Sequence, residues 1–411
     1  MVAEPLVRPP FEVADIVRAH GNAFRLAHHP SGPQEAVLRH IATCRTAALG
    51  GHLDECDACG QQRISYNSCR DRHCPKCQSL ARAEWLEARL QRLLPIPYFH
   101  VVFTIPDDLN PLALGNKRLV YDCLFAAAAQ TLQTIARDEK HLGAELGVTA
   151  VLHTWGQNLL FHPHLHCVVT GGGLAPDGSR WIKSRDRFFL PVRVLARLFR
   201  GKFLAALETA RAASQLHLGG STADLADDAA WKRFRQGLYQ KDWIVYAKPP
   251  FGGPEQVFAY LGRYTHRVAI ANHRITGFEH GRVSFTIKDY ADGNQRKTMT
   301  VDALEFLRRF LLHVLPHGFT RIRHFGLLAG RNVATKLVRA QRLLEREGNL
   351  RPPIARTPPD TPWWDRLRQR TGIDIMACSA CGGRLERRRH LAAATFHLLP
   401  TGTDLPSMDT S

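Results

Sequence analysis

Two short cysteine pairs, Cys56-Asp57-Ala58-Cys59 and Cys74-Pro75-Lys76-Cys77, constrain this chain more than any other feature. A C-x2-C turn aims two thiolates at one point, and two such turns close a tetrahedron around a soft cation. Fourteen residues separate the pairs. That spacing predicts a zinc ribbon in which Cys56, Cys59, Cys74 and Cys77 hold a structural Zn²⁺. Cys69 and His73 lie inside the loop and His52 just before it, as substitute ligands or part of a second site. Cys378 and Cys381 form a third knuckle with no partner nearby in sequence. Metal binding there requires ligands from elsewhere, and two free thiols fit equally well. Cys44, Cys123 and Cys167 read as core residues.

The charge balance narrows the partner. Lys and Arg total 55 against 37 Asp and Glu, a formal net charge of +18 over 411 residues. Such an excess favours a polyanion, with nucleic acid foremost; a merely basic or ribosome-associated protein is the plainer alternative. Arg70, Arg72 and Lys76 surround the cysteine cluster and are candidate DNA contacts. No apolar run is long enough to span a bilayer, and residues 1–10 lack the charged and apolar regions of a signal peptide. The expectation is a soluble, cytoplasmic, nucleoid-associated protein without membrane contact, whose cysteines are ligands or thiols rather than disulfides.

Three domains are predicted: a zinc-binding, DNA-binding region over 1–95, a catalytic region over 96–330, and a basic, Pro-rich arm over 331–411. Residues 11–50 carry helical spacing. Helices are expected over 79–94, 117–137, 192–213, 229–239, 255–265 and 302–315, from apolar positions recurring three and four residues apart. Strands are expected over 99–105, 148–155, 164–170, 243–247 and 283–290. Strands interspersed with helices give an α+β class.

Side chains two apart on a strand share a face. In Phe161-His162-Pro163-His164-Leu165-His166-Cys167-Val168, His164 and His166 therefore point together while Leu165 points to the core. His153 ends the preceding strand. In an antiparallel hairpin it reaches the pair as a third metal ligand, with His162 and Gln157 in reserve. Three ligands leave positions open for a phosphate oxygen and water. Gly171 to Gly173 would let a substrate backbone pass closely. Tyr260 and Tyr264 lie four apart on a helical stretch, one above the other, either as a core stripe with Phe258 and Leu261 or as two nucleophiles. Arg263 and Arg267 make that stretch basic and suit phosphate contacts. A phenol, with a pKa of about 10, attacks a phosphodiester only where cationic groups stabilise the developing charge.

The combination resembles the HUH single-strand nucleases, and within them the two-tyrosine rolling-circle insertion-sequence transposases of the IS-ninety-one type. Several segments carry the likeness: the knuckles with Asn67-Ser68-Cys69-Arg70-Asp71-Arg72-His73, the 99–106 strand, and His153-Thr154-Trp155-Gly156-Gln157-Asn158 leading to the histidine strand. Tyr260 to Arg267 and Arg321-Ile322-Arg323-His324-Phe325-Gly326 belong to it as well. The resemblance implies an α+β fold: a central nuclease with an antiparallel sheet flanked by helices, preceded by a small helical, zinc-binding domain. It implies Mg²⁺ or Mn²⁺ on His164 and His166, and Tyr260 and Tyr264 as 5′-phosphotyrosine nucleophiles. The implied partners are single-stranded DNA at element ends and target DNA. Alternatives are a rolling-circle replication initiator or relaxase, a non-catalytic zinc-ribbon regulator, and a hydrolase using His162, His164 and His166.

Overall fold

The computed structural model of the chain describes residues 9–77, 79–185, 190–248, 269–289, 292–349, 358 and 360–394. Along the chain run helices α1 (Val13–His28) and α2 (Gly32–Thr43), strands β1 (Gly51–Cys56) and β2 (Gln62–Tyr66), and α3 (Ser79–Leu90). Next come β3 (Tyr98–Thr104), α4 (Asn110–Gly115), α5 (Lys117–Arg137), β4 (Glu145–Trp155), β5 (Phe161–Leu174) and β6 (Trp181–Lys183). Then follow α6 (Val192–Ala212), α7 (Asp228–Gln240), β7 (Val245–Lys248), β8 (Ile275–Glu279), β9 (Arg282–Asp289) and β10 (Gln295–Asp302). The last elements are α8 (Ala303–Leu312), β11 (Ile322–Gly326), α9 (Val338–Arg346), α10 (Trp363–Thr371) and β12 (Leu385–Leu391). The class is α+β, and every strand pair named below is antiparallel.

The chain divides into two compact units. The first combines 1–83, 266–311 and 355–411, and the second combines 84–265 and 312–354. The linear partition at 95 and 330 thus meets an interleaved one. The reason lies in side-chain and backbone pairing inside the first unit. The Val13 N–H donates to Asn272 Oδ1 at 3.2 Å, Gln34 Nε2 donates to the Leu311 carbonyl at 3.1 Å, and His20 packs edge-on against Phe278. The meander β10-β9-β8 and the sheet β12-β1-β2 both belong to this unit. The C-terminal arm is therefore more than an extended linker, since α10 and β12 lie within it.

The second unit is built on the sheet β11-β4-β5-β3-β7, with β6 added beside β5. Alternation splits its two faces. Val101, Phe103, Val148, Ala150, Leu152, Leu165, Cys167 and Val169 join residues of α5 and α6 in one large core. The opposite face carries Tyr98, Val151 and Val168, which pack with Leu93, Leu94, Leu327, Leu328 and, from α9, Ala340 and Leu344. Helix α5 spans the predicted 117–137, because its apolar residues recur at helical spacing and Asp138 leaves the helical conformation.

Gly171, Gly172 and Gly173 serve the fold, contrary to the reading that they admit a substrate backbone. A Cβ on them would collide with the carbonyl oxygens of Pro97, Ile182 and Glu145 respectively, so the backbone that passes closely is the protein's own. Gly326 ends β11 at φ +59°, where a Cβ would strike the Leu146 carbonyl. Gly326→Ala is expected to lower the melting temperature by several degrees, combining left-handed strain with a steric clash; an unchanged melting curve would contradict this packing.

Candidate metal and nucleic-acid site

Strands β4 and β5 pair in a register that sets His153 opposite His164 and Val151 opposite His166. One ring nitrogen from each of His153, His164 and His166 falls within 4.8 Å of the others. The period-two alternation of β5 keeps Leu165 in the core behind them. His162 does not join the group: its ring is exposed and stands 3.4 Å from Asp107 Oδ1.

Hydrogen bonds fix the orientation of the rings. His164 Nδ1 donates to the His162 carbonyl oxygen at 2.7 Å. The proton is thus on Nδ1 and the lone pair on Nε2. His166 Nδ1 faces His100 Nε2 at 2.8 Å, and His100 on β3 is 4% exposed. The two Nε2 atoms of His164 and His166 lie 3.1 Å apart. A cation about 2.1 Å from two nitrogens at a right angle sets them about 3 Å apart, so the pair fits adjacent positions on one ion. Burial holds His164 down to about 4 and pushes His153 and His166 well below the ordinary histidine value. All three rings are neutral at pH 7 and able to bind a cation. Trp155 stacks on His153 with ring centroids 4.7 Å apart, closing one wall.

No sequence motif marks His100 as part of the site. The available signal was a histidine within an otherwise apolar strand, Phe99-His100-Val101-Val102-Phe103, but its place beside His166 depends on β3 pairing with β5. His313, 1% exposed, is a second such residue. Its Nδ1 lies 3.2 Å from Thr154 Oγ1 and its Nε2 3.0 Å from the Leu159 carbonyl, which fixes the turn between β4 and β5.

The same face continues toward the β11 edge. A small pocket is lined by Arg89, Arg92, Leu93, Thr149, His324 and Leu328, with no acidic residue among these. Arg89 Nε is buried with no hydrogen-bond partner among the described residues. His324 Nδ1 lies 3.0 Å from Thr149 Oγ1. Burial first, then Arg89 and Arg92, lowers His324 to about 4. Between pH 6.5 and 4 the unfolded chain therefore binds a proton that the folded chain refuses, so stability falls as pH falls through this window. Each unit of pH there costs up to about tenfold in the folding constant from this residue. His324→Gln is expected to flatten that part of the stability–pH curve; the same slope in the variant would refute the assignment. Toward the other edge, Ile244, just before β7, and Tyr246 within it are 65% and 49% exposed. Tyr246 pairs with Val102, which pairs with His166. A cavity of about 430 Å³ lies elsewhere, lined by Arg193, Arg197, Arg200 and Trp243 beside the helical core.

The cysteines are grouped differently from the expectation. Cys56, Cys59, Cys74 and Cys77 do not form one site. Cys74 and Cys77 meet Cys44 and Cys69, all four Sγ atoms within 4.8 Å of one another, while Cys56 and Cys59 meet Cys378 and Cys381. Cys44 is thus no ordinary core residue, whereas Cys167 is buried in the sheet core. Cys69 Sγ lies 3.6 Å from Cys77 Sγ, and the Cys69 N–H points at Cys44 Sγ at 3.5 Å. Tetrahedral zinc with Zn–S of about 2.3 Å requires sulfurs about 3.8 Å apart, so the first tetrad fits Zn²⁺. Asp71 braces it without ligating: it accepts hydrogen bonds from the His73 backbone at 2.7 Å and the His73 ring at 2.9 Å, and meets His40 Nδ1 at 2.8 Å. Burial alone would raise the Asp71 carboxyl, but these histidines hold it well below the carboxylate range.

Among the candidate DNA contacts, Arg70 and Arg72 are exposed. Lys76 is not available in the same way, because its Nζ lies 2.6 Å from Glu12 Oε2 in a largely buried pair. Tyr260, Arg263, Tyr264 and Arg267 lie outside the described residues.

Comparison with known proteins bears on both regions. A family model described as "Putative transposase" matches residues 147–336, spanning β5 and β11, and one described as "Transposase zinc-binding domain" matches residues 16–105. The chain is 54% identical over 371 residues to "Putative transposase y4qJ" of Sinorhizobium fredii (strain NBRC 101917 / NGR234), covering 90% of this chain and 92% of that one. It is 29% identical over 358 residues to "Transposase for insertion sequence element IS801" of Pseudomonas savastanoi pv. phaseolicola, covering 85% and 82%. No solved structure matches. Among the described residues, no helix is long and apolar enough to cross a membrane.

Proposed function

The chain belongs to the IS91-type transposases with an N-terminal zinc-binding domain, and from that premise we propose that it nicks and rejoins single-stranded DNA through 5′-phosphotyrosine links on Tyr260 and Tyr264. The observation that carries this reading is the neutral triad His153, His164 and His166, whose nitrogens converge on one point of a sheet face. A divalent ion such as Mg²⁺ or Mn²⁺ held there supplies electrophilic stabilisation of the scissile phosphate. His164 and His166 orient toward it, with His162 O and His100 fixing their tautomers. A tyrosine phenol attacks phosphorus, losing its proton to solvent or a base. The P–O3′ bond breaks, and the released 3′ oxygen takes up a proton. The covalent bond conserves the phosphodiester for rejoining, and a second tyrosine permits a second transfer.

The surrounding face supports a single strand as substrate. Tyr246 stands two strands from His166, roughly 10 Å away at the spacing of neighbouring strands. It offers an exposed ring for base stacking. Arg89 and Arg92 stand beside Thr149, four residues along β4 from His153 and so roughly 13 Å away. Two guanidiniums sharing a pocket without a carboxylate suit a phosphate.

The test is an oligonucleotide carrying the element's end, incubated with protein and Mg²⁺. The expected product is a protein–DNA adduct that survives denaturation and is lost in Tyr260→Phe/Tyr264→Phe. Metal-dependent cleavage retained in that double variant would favour the hydrolase, and binding without cleavage the regulator. Arg89→Gln/Arg92→Gln is expected to weaken binding of the same oligonucleotide. The log–log salt slope should drop by about 1.4 for two lost phosphate contacts. An unchanged slope would remove these arginines from the DNA path.

A further inference from the structure

We propose that Cys56, Cys59, Cys378 and Cys381 bind a second zinc ion, which clasps the C-terminal strand of the chain onto the N-terminal domain. The matched zinc-binding region, 16–105, includes Cys56 and Cys59, but Cys378 and Cys381 lie beyond both it and the other match, which ends at 336.

The sulfurs are already spaced for it. Cys56 Sγ lies 3.5 Å from Cys381 Sγ, and Cys59 Sγ lies 3.8 Å from Cys378 Sγ. These are close to the edges of a tetrahedron with Zn–S bonds of about 2.3 Å.

The two knuckles are also near copies of one another. Each reads Cys-x-Ala-Cys-Gly. In each the glycine is left-handed, at φ +73° for Gly60 and +77° for Gly382. In each its N–H donates to the carbonyl of the first cysteine, at 3.1 Å to Cys56 and 2.9 Å to Cys378. The two turns interlock. The Asp57 N–H donates to the Arg384 carbonyl at 3.0 Å, and the Arg384 N–H returns to Asp57 Oδ1 at 2.9 Å. Gly383 is the closest approach: a Cβ there would stand 2.9 Å from Cys56 Sγ and from Ala58 Cβ, so only glycine leaves the sulfur room. Its N–H points at Cys381 Sγ at 3.4 Å, as expected around a ligating thiolate.

The need for a metal follows from the core. Strand β12 pairs along β1 with Cys56 opposite Leu385, but among the described residues the buried apolar cluster beneath this junction consists of Cys56, Cys378 and Leu385. Three residues bury too little apolar surface to hold a strand that arrives from more than 300 residues away, against the entropy of closing that loop. Four zinc–thiolate bonds supply the missing stabilisation.

The experiment is elemental analysis of the purified full-length protein after exhaustive dialysis. The expected content is two zinc ions per chain and no iron. Cys378→Ser/Cys381→Ser should hold one, and Cys381→His, which keeps a ligand at that corner, should hold two. Limited proteolysis should release the segment after residue 355 from the serine variant faster than from the histidine variant. One zinc in the wild-type protein, iron in place of zinc, or two zincs in the double serine variant would each overturn the proposal. The readout is metal content, so it stands or falls independently of DNA cleavage.

Discussion

His164→Ala is expected to lower metal-dependent cleavage of a single-stranded element end by about a thousandfold or more, with the zinc content unchanged. The argument runs from position to energy. His164 sits opposite His153 in the β4–β5 register, and its Nε2 lies 3.1 Å from that of His166. Its Nδ1 is committed to the His162 carbonyl, so the ring has one orientation. Removing it leaves two ligands and a widened site. Electrophilic stabilisation of a phosphoryl transfer is worth several kcal/mol, and each 1.4 kcal/mol is about a factor of ten in rate. The fold loses the side-chain bond to the His162 carbonyl, about 1 kcal/mol, and the contact with His166, so the variant should remain folded and still bind the oligonucleotide. Cleavage within tenfold of wild type at saturating Mg²⁺ would remove the triad from the chemistry. His100→Ala should fall between, since it orients His166 without joining the triad; losing a group that orients a metal ligand costs about 10–100-fold.

Cys44→Ser is expected to lose one zinc and unfold much of the N-terminal domain. Cys56→Ser should leave that zinc in place. The contrast is large because structural zinc contributes roughly 10 kcal/mol or more of folding free energy in small domains. Cys44 ends α2, while Cys69, Cys74 and Cys77 belong to the segment before α3, so this tetrad ties the helical pair to the chain leading into the second unit. Circular dichroism melting with and without a chelator, together with zinc content, measures it. Full zinc content in Cys44→Ser, together with loss of the chelator-sensitive N-terminal transition in Cys56→Ser, would restore the single ribbon of Cys56, Cys59, Cys74 and Cys77.

Much of the second unit was legible in the sequence. Helix α5 and the strands around His100, His153 and His166 are marked by periodicity and by Pro or Gly at their ends. His153 could be placed opposite His164 because a short hairpin leaves little freedom of register. The parts that were not legible depend on which strand lies beside which. Strand β3 between β5 and β7 brings His100 to His166, and β11 beside β4 brings His324 to Thr149. The glycine triplet looked like an open passage until Pro97, Ile182 and Glu145 proved to fill it.

By itself the sequence determined the ligand types: two histidines on one strand face, and cysteines in pairs that each bind half a tetrahedron. Those follow from local geometry, because a strand's period and a knuckle's turn are set within a few residues. Which halves join was decided only by the tertiary structure. Every C-x2-C presents the same pair of thiolates, so spacing along the chain cannot choose among partners. Proximity in sequence favoured Cys56 and Cys59 with Cys74 and Cys77. Pairing of β12 with β1 instead delivers Cys378 and Cys381 to the first knuckle, and the end of α2 delivers Cys44 to the second.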